Sequence, residues 1–403
     1  MSPDPSISMK QRPSNQGGDE ATEHVAIACG GTGGHLYPGL AVAERLWEAG
    51  ARVTLVVSQK EVDQQALRGD TRFEVLTLPA VGFSVGRFLR FATACWRSYR
   101  VACRAFRRSP PSALLSMGGF TSVPPAWAVR RAGGTVMLHE ANAIPGRANR
   151  WLARKAHRGF VFFPEAAARL PMREVEVVGM PVRSQFQEID PGSCRLALGL
   201  RPDRPVLLVM GGSQGASGVN DVVLAAVPRV ARSVPGLQWL HLTGVADEAK
   251  VRHRYREAGI SAVVRPFLTE MELALGAADA AVARAGASSA AELAAVGVPP
   301  FFLPYPHAAE DHQTANARAF ERTGAARWMH QAEAYSEPFA EAVIALLTDE
   351  TLRARMKAGL ATWHRADADQ VLANQLLGRT PATREGSSPV GGRGVSIHGV
   401  TTV

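Results

Sequence analysis

No stretch of this 403-residue chain approaches the ~18 uninterrupted apolar residues of a spanning helix, so a transmembrane anchor is not expected. Cysteine is scarce. Cys29, Cys95, Cys103 and Cys194 are scattered without metal-ligand or disulfide spacing, which points to reduced thiols in a cytosolic protein. The first twenty or so residues are polar and rich in Ser, Pro and Gln. They lack the apolar centre of a signal peptide and read as a disordered tail. Lysine is rare beside arginine, and acidic residues are outnumbered, which leaves a net charge of +9. That balance favours a polyanionic partner: nucleic acid, an anionic membrane or a phosphate-bearing substrate. No RNA- or DNA-binding module is recognisable, which sets nucleic acid aside. What the chain does have is ordinary globular composition, 46% hydrophobic and 20% charged, enough for substantial cores.

The same punctuation occurs twice: a short apolar strand, a glycine-rich turn, then a helix. Val25–Cys29 runs into Gly30-Gly-Thr-Gly-Gly-His35, and Val206–Met210 runs into Gly211-Gly-Ser-Gln-Gly215. Such turns let backbone N–H groups approach a phosphate, and the following helix adds its positive N-terminus. Strands at Val53–Val57, Ala113–Ser116, Thr135–Leu138 and Gly159–Phe163 alternate with helices such as Leu40–Ala49, which ends in a Gly50 cap signal. Breaks at Asp190-Pro-Gly192 and Arg201-Pro-Asp203 precede a second alternating block. Its strands include Leu237–Leu242, Ala262–Val264, Ala280–Ala283 and Pro300–Leu303. Alternation of this kind predicts parallel sheets covered by helices. The expected fold is α/β: two Rossmann-like parallel-sheet domains with an interdomain cleft. A helix from about Thr351 to Leu377 is expected to return to the first domain, ahead of a Gly/Ser/Thr-rich disordered tail.

Neither turn fits the dinucleotide pattern G-x-G-x-x-G, since the sixth position from Gly31 is Leu36. The second strand ends near Val57-Ser58 without an acid for an adenosine ribose, and the P-loop lysine is missing, so nicotinamide chemistry and ATP hydrolysis are weak readings. Gly211-Gly-Ser213-Gln-Gly215 matches the G-x-S-x-G nucleophile elbow, with His307 and His312 as distant partners. The competing role of Ser213 is as a hydroxyl donor to a phosphate oxygen.

Seven segments in order carry a family resemblance: Gly30–Ala43, Met117-Gly-Gly-Phe-Thr121, His139-Glu-Ala-Asn-Ala-Ile-Pro-Gly146, Val178-Gly-Met-Pro-Val-Arg183, Gly211–Ala216, Arg284–Glu292 and Pro304–Ala317. Together they span about residues 24 to 320 and resemble the MurG family of N-acetylglucosaminyltransferases, which convert lipid I to lipid II in peptidoglycan synthesis. The resemblance implies the GT-B fold, with an acceptor- and membrane-binding domain at 23–185, a UDP-GlcNAc-binding domain at 186–355 and a helical segment at 356–379 returning to the first domain; the tails at 1–22 and 380–403 lie outside the resemblance. It also implies donor contacts from Thr32, Gly33, Gly34, Asn142, Arg183, Ser213, Leu268, Ala287, Ser288, Ser289, Ala290, Ala291, Glu292 and Gln313. Backbone around Phe267-Leu268 would read uracil. Glu292 would accept both ribose hydroxyls, against the plainer reading of a helix Glu favoured by the dipole. Gly212, Ser213 and Arg183 would hold the diphosphate, and Gln313 and Asn142 the sugar.

His35 is the leading base for the attacking muramoyl hydroxyl, because an imidazole titrates near operating pH. A capping or substrate-positioning role is its alternative, and Glu140 is the alternative base. The expected chemistry is a single displacement with inversion, without a cofactor or metal. Asp367-Ala-Asp369 matches an Asp-x-Asp metal motif but lies far from the other segments and reads as a solvated helix face. Basic and apolar residues interleave through Phe83–Arg108. Phe88, Arg90, Phe91, Trp96 and Arg97 are candidates for contact with an anionic bilayer, against an ordinary covering helix with solvated arginines. The implied partners are UDP-GlcNAc, lipid I, the cytoplasmic face of the cell membrane, and cell-wall synthesis and division proteins. Ala141, Ala143 and Met180 depart from the commonest family form. The rival readings are another GT-B enzyme, acting on a glycolipid or epimerising a UDP-sugar, and a non-catalytic nucleotide-sugar-binding membrane scaffold.

Overall fold

The computed structural model describes residues 23–60, 63–64, 67, 70–79, 88–186, 189–212 and 215–379. Both expected tails lie outside them. Short strands, apolar at the centre of each sheet, form two parallel sheets. The first contains β1 (His24–Ala28), β2 (Arg52–Ser58), β3 (Glu74–Leu78), β4 (Ala113–Ser116), β5 (Thr135–Glu140), β6 (Arg158–Val161) and β7 (Val175–Val177) in the order β3-β2-β1-β4-β5-β6-β7. The second contains β8 (Val206–Met210), β9 (Gln238–Leu242), β10 (Ala262–Arg265), β11 (Ala280–Ala283), β12 (Pro300–Phe302) and β13 (Arg327–Trp328) in the order β10-β9-β8-β11-β12-β13. Every strand pairing in both sheets is parallel. Helices connect the strands and cover both faces, which is why the central strands read as continuous apolar runs and not as alternation.

In each sheet the chain reverses its direction of travel once, between β1 and β4 and between β8 and β11. The two glycine turns follow β1 and β8, so both sit at topological switch points, where open α/β sheets bind ligands beyond the carboxyl ends of their strands. Three strands escaped the sequence reading: β3, β7 and β13. All are edge strands, and their half-exposed, partly charged residues carry little of the apolar signal that marks a central strand.

One apolar core runs through both halves. It includes Leu114, Val136 and Phe163 from the first half and Leu208, Ala283 and Phe320 from the second. Phe320 in this core stacks on the partly buried Trp363 with ring centroids 4.4 Å apart, and Phe162 and Phe163 meet both rings.

The C-terminal helix expected over Thr351–Leu377 is two helices. Glu350–Ala361 stays with the second half. The chain then crosses over, and Ala368–Leu376 docks on the first. Leu372 and Leu376 enter a separate apolar cluster of the first half, with Leu36 and Leu46, which at about 1.5–3 kcal/mol per buried leucine anchors the return. Asp369 corrects the reading of Asp367-Ala-Asp369 as a solvated face: it is buried and accepts a 2.8 Å hydrogen bond from Arg45 Nε. Arg158 also donates to Gln375 across this contact.

Candidate active site

The first glycine turn is tight because it must be. A Cβ on Gly30 would lie 2.4 Å from Ser58 N, and Gly31 adopts φ +118°. The helix Gly33–Glu48 then starts at Thr32, whose carbonyl accepts the first intrahelical bonds from His35 and Leu36. Pro38 lies inside this helix and has no N–H for the carbonyl of Gly34 four residues back. Ser288 Oγ, from the second half, donates to that carbonyl at 3.0 Å. A proline in one half thus exposes an acceptor that the other half uses.

Between the halves lies a cleft lined from both sides at the carboxyl ends of the strands. Thr32, Gly33, Gly34, Tyr37 and Arg183 come from the first half. Gly212, Pro266, Phe267, Leu268, Met271 and the run Gly286–Ser289 with Glu292 come from the second. The helices Gly33–Glu48 and Ala287–Val296 both open onto this cavity, so their unsatisfied first-turn N–H groups and positive ends face one space. The Arg183 guanidinium packs over Tyr37 at 4.5 Å and Phe186 at 5.2 Å, and its Nε is buried without a partner among the described residues. The arrangement is a polar, positive middle that suits a diphosphate, with an apolar end at Met210, Leu242 and Leu268 that suits a flat base.

Glu292 is the sixth residue of its helix, beyond the first turn, so the helix dipole does not account for it. Burial pushes its carboxyl up to about 7, against the pull of Arg183 and with a further push from Glu272. His35 is half-buried under the turn formed by Gly118 and Gly119, both at positive φ. A Cβ on Gly118 would come within 3.0 Å of His35 Nε2, so the Met117-Gly-Gly segment is glycine-rich to admit the ring. Burial pushes the imidazole down to about 4, while Asp63 pulls it up and Lys60 and His312 push it further down. Thr32 Oγ1 lies 3.3 Å from His35 Nδ1.

The other expected site residues are dispersed around this centre. Glu140 is buried at the end of β5, and its two oxygens accept from Asn142 N, Gly146 N and Asn149 Nδ2 at 2.9 Å each. It holds the 140–149 segment in shape. Asn142 accepts from Asn316 Nδ2 at 3.1 Å, and Asn316 Oδ1 takes the Ala143 N–H, so this pair bridges the halves beside the cavity and not inside it. Gln313 accepts from Tyr305 N at 2.9 Å and lines a neighbouring depression with Gly211, Gly215, Arg284 and His307. Ala290 and Ala291 are buried in the core. Ser213 lies outside the described residues, and so do the side chain of Phe88 and residues 80–87.

On the helix Phe88–Ala105, the buried stripe is small: Ala94, Ser98 and Ala102. Arg90, Arg97 and Trp96 face outward, and Arg100 lies 4.7 Å over the Trp96 ring. Phe91 turns inward, edge-on to Phe120. Leu89 is 78% exposed and Trp96 58%, and a second exposed pair, Trp127 and Trp151, packs nearby with centroids 4.7 Å apart. Sequence reasoning missed Trp127, Trp151, Tyr37 and Asp63. Tyr37 carried a signal, its place in the Leu-Tyr-Pro-Gly run, whereas Asp63 sits near Glu61 in a polar segment with nothing to single it out. Among the described residues no group of three or more His, Cys, Asp or Glu is arranged to hold a metal ion.

Two facing Rossmann-like halves, with a nucleotide-shaped cleft at the carboxyl ends of both sheets, define the GT-B class of nucleotide-sugar proteins. Residues 25–161 match the glycosyltransferase family 28 N-terminal domain and residues 206–372 its C-terminal domain. The chain belongs to this family, in its MurG branch. It is 37% identical over 380 residues to the UDP-N-acetylglucosamine–N-acetylmuramyl-(pentapeptide) pyrophosphoryl-undecaprenol N-acetylglucosamine transferase of Sorangium cellulosum, covering 92% of each chain. It is 38% identical to the protein of the same name from Synechococcus elongatus, over 88% of this chain and 98% of that one. The crystal structure of Acinetobacter baumannii MurG superposes with a TM-score of 0.70 at 26% identity, over 88% of this chain and 99% of that one. A UDP-N-acetylglucosamine 2-epimerase shares the fold alone, with a TM-score of 0.65 at 12% identity and coverage of 88% of this chain and 96% of that one.

Proposed function

We propose that this protein transfers N-acetylglucosamine from UDP-GlcNAc to the 4-hydroxyl of the muramoyl group of lipid I, giving lipid II for peptidoglycan synthesis. The observation that carries this reading is the cleft itself. Two helix N-termini and Arg183 converge on one cavity with Glu292 at its side, in a chain that matches MurG proteins over nearly its whole length. Uracil takes the apolar end near Leu268, and the ribose hydroxyls donate to Glu292. The diphosphate lies between the helix N-termini and Arg183, which stabilise the charge that develops as UDP leaves. Ser213 contributes its hydroxyl there, and Gln313 and Asn142 address the sugar from beside the cavity.

His35 is the base. Held down to about 4, it is neutral near pH 7, so its lone pair is free for the acceptor's proton, although burial makes it a weak base. Glu140 serves differently, since its oxygens are already engaged by the segment that carries Asn142. Attack by the acceptor oxygen inverts the anomeric carbon.

The lipid-linked acceptor requires approach to a bilayer. No helix of the described residues is long and apolar enough to cross one. The outward Leu89, Trp96, Arg90, Arg97 and Arg100, with Trp127 and Trp151, form a surface suited to an anionic leaflet on its cytoplasmic side. Proteins of cell-wall synthesis and division are the partners such a site would serve.

The test is transfer of labelled GlcNAc from UDP-GlcNAc to a lipid I analogue, with EDTA, by wild type, His35→Ala and Glu140→Gln. We expect transfer by wild type in EDTA and a loss of at least about 100-fold for His35→Ala with donor binding intact. No transfer by wild type, in EDTA or with added magnesium, would sink the acceptor assignment. A Glu140→Gln loss larger than that of His35→Ala, with donor binding intact, would move the base to Glu140.

A further inference from the structure

Asp63 is a fully buried acid that the reaction as described does not use. Its Oδ2 accepts three hydrogen bonds: from Gly31 N at 2.8 Å, Ser58 N at 3.0 Å and Ser58 Oγ at 2.6 Å. Among the described residues its Oδ1 is buried with no partner and Asp63 forms no ion pair. A buried carboxylate without a cation is costly. All three hydrogen bonds fall on one oxygen, and the amide oxygen of an asparagine could accept them as well. Hydrogen bonding alone therefore does not explain the acid, and the charge itself calls for a role.

The position of the carboxylate supplies that role. Asp63 takes the N–H of the Gly31 peptide, and Lys60 Nζ donates to the carbonyl of the same residue at 2.7 Å. The two side chains clamp the turn that leads through Thr32 into His35. Among the described residues, the titratable and charged groups that act on the His35 ring are Asp63 and Lys60 from the segment after β2, His312 from the second half, and His139 on β5. Of these, Asp63 alone is an acid.

We propose that Asp63 is a positioning residue for the transfer: it fixes the Gly31 peptide that leads into His35 and supplies the negative charge facing the imidazolium formed there. In that step the proton of the acceptor hydroxyl passes to a His35 ring nitrogen. The acceptor oxygen bonds to the anomeric carbon, and the bond from that carbon to the diphosphate oxygen breaks with its electron pair leaving on UDP. A buried, neutral imidazole is a reluctant proton acceptor, and a fixed negative charge near it makes the developing cation less costly. The inference rests on the reading of His35 as the base.

The experiment compares wild type, Asp63→Asn and Lys60→Met in two readouts: the pH dependence of kcat/KM for transfer to a lipid I analogue, and the NMR titration of the His35 imidazole. Asp63→Asn is expected to lower kcat by about 10-fold or more while UDP-GlcNAc affinity stays within about twofold. It should move the His35 midpoint and the acid limb of kcat/KM down by at least about 0.5 pH unit, and Lys60→Met should move both up. In wild type, the Asp63 carboxyl carbon should show an inflection at the His35 midpoint. An unmoved His35 midpoint in Asp63→Asn overturns the inference. So does a wild-type Asp63 signal without that inflection, which decides the matter even if the variant does not fold. Transfer by wild type with unmoved titrations refutes the role of Asp63 alone, whereas absence of transfer by wild type refutes the functional reading on which it stands.

Discussion

Glu292→Gln separates what the site does for binding from what it costs in stability. The carboxyl stands at about 7 in the folded protein against 4.5 in the open chain. Between those values the folded state binds a proton that the unfolded state does not, so stability falls as pH rises through the window, and above about pH 7 the full cost is present. At about 1.36 kcal/mol per pH unit the gap amounts to about 3 kcal/mol, an upper bound because the side chain keeps some exposure to the cleft. Glu292→Gln removes that cost. The variant should be more stable than wild type at pH 8, by up to about 3 kcal/mol in urea melts, and nearly equal to it at pH 4.5. Donor binding should move the opposite way. Hydrogen bonds to a charged acceptor contribute about 1.5–3 kcal/mol, so losing about 2 kcal/mol weakens UDP-GlcNAc binding about 30-fold at pH 8. In wild type, the ionised fraction rises about tenfold from pH 6 to pH 8, and affinity should rise with it. Calorimetric titration with UDP-GlcNAc reads this cleanly, because its diphosphate diester does not titrate in that range. A wild-type affinity that is flat from pH 6 to pH 8, or a variant that binds as tightly as wild type at pH 8, would refute the reasoning.

Three further expectations concern the frame around the site. Gly30→Ala puts a methyl carbon 2.4 Å from the Ser58 backbone nitrogen, which no side-chain adjustment relieves, so a loss of about 3 kcal/mol or more is expected in urea melts. Ser288→Ala removes the donor to the carbonyl that Pro38 leaves open. It should cost about 0.5–1.5 kcal/mol and enlarge the radius of gyration of the ligand-free protein in X-ray scattering, and an unchanged radius would show that this contact does not hold the halves together. Asp369→Ala strips Arg45 of its buried partner and should cost about 3 kcal/mol. Glu310→Ala, which breaks ion pairs to Arg147 and Arg150 at the surface, should cost less than about 1 kcal/mol, and equal effects would mean that burial is not what distinguishes them.

Much of the frame was legible in the sequence because it rests on local rules. Central strands such as Val25–Ala28 and Val206–Met210 announce themselves as apolar runs before glycine turns, since a strand buried on both faces has no polar side to show. The edge strands β3, β7 and β13 stayed hidden because half-exposed residues carry no such pattern. Gly30, Gly118 and Gly119 could be noticed as glycines, but the neighbours they make room for, Ser58 and the His35 ring, lie far along the chain.

By itself, then, the sequence determined the two nucleotide-fold halves and the family, because strand pattern, turn chemistry and ordered motifs are properties of contiguous residues. Only the tertiary structure decided how those residues divide their work. Glu140 and Asn142 are drawn into hydrogen bonds that shape and bridge the site, Gln313 is set beside the cavity, and Asp369 is buried against Arg45 where sequence pattern read it as solvated. Burial, partnering and the charge that Asp63 brings to His35 depend on segments distant in sequence meeting in space, and no local pattern encodes which of them will meet.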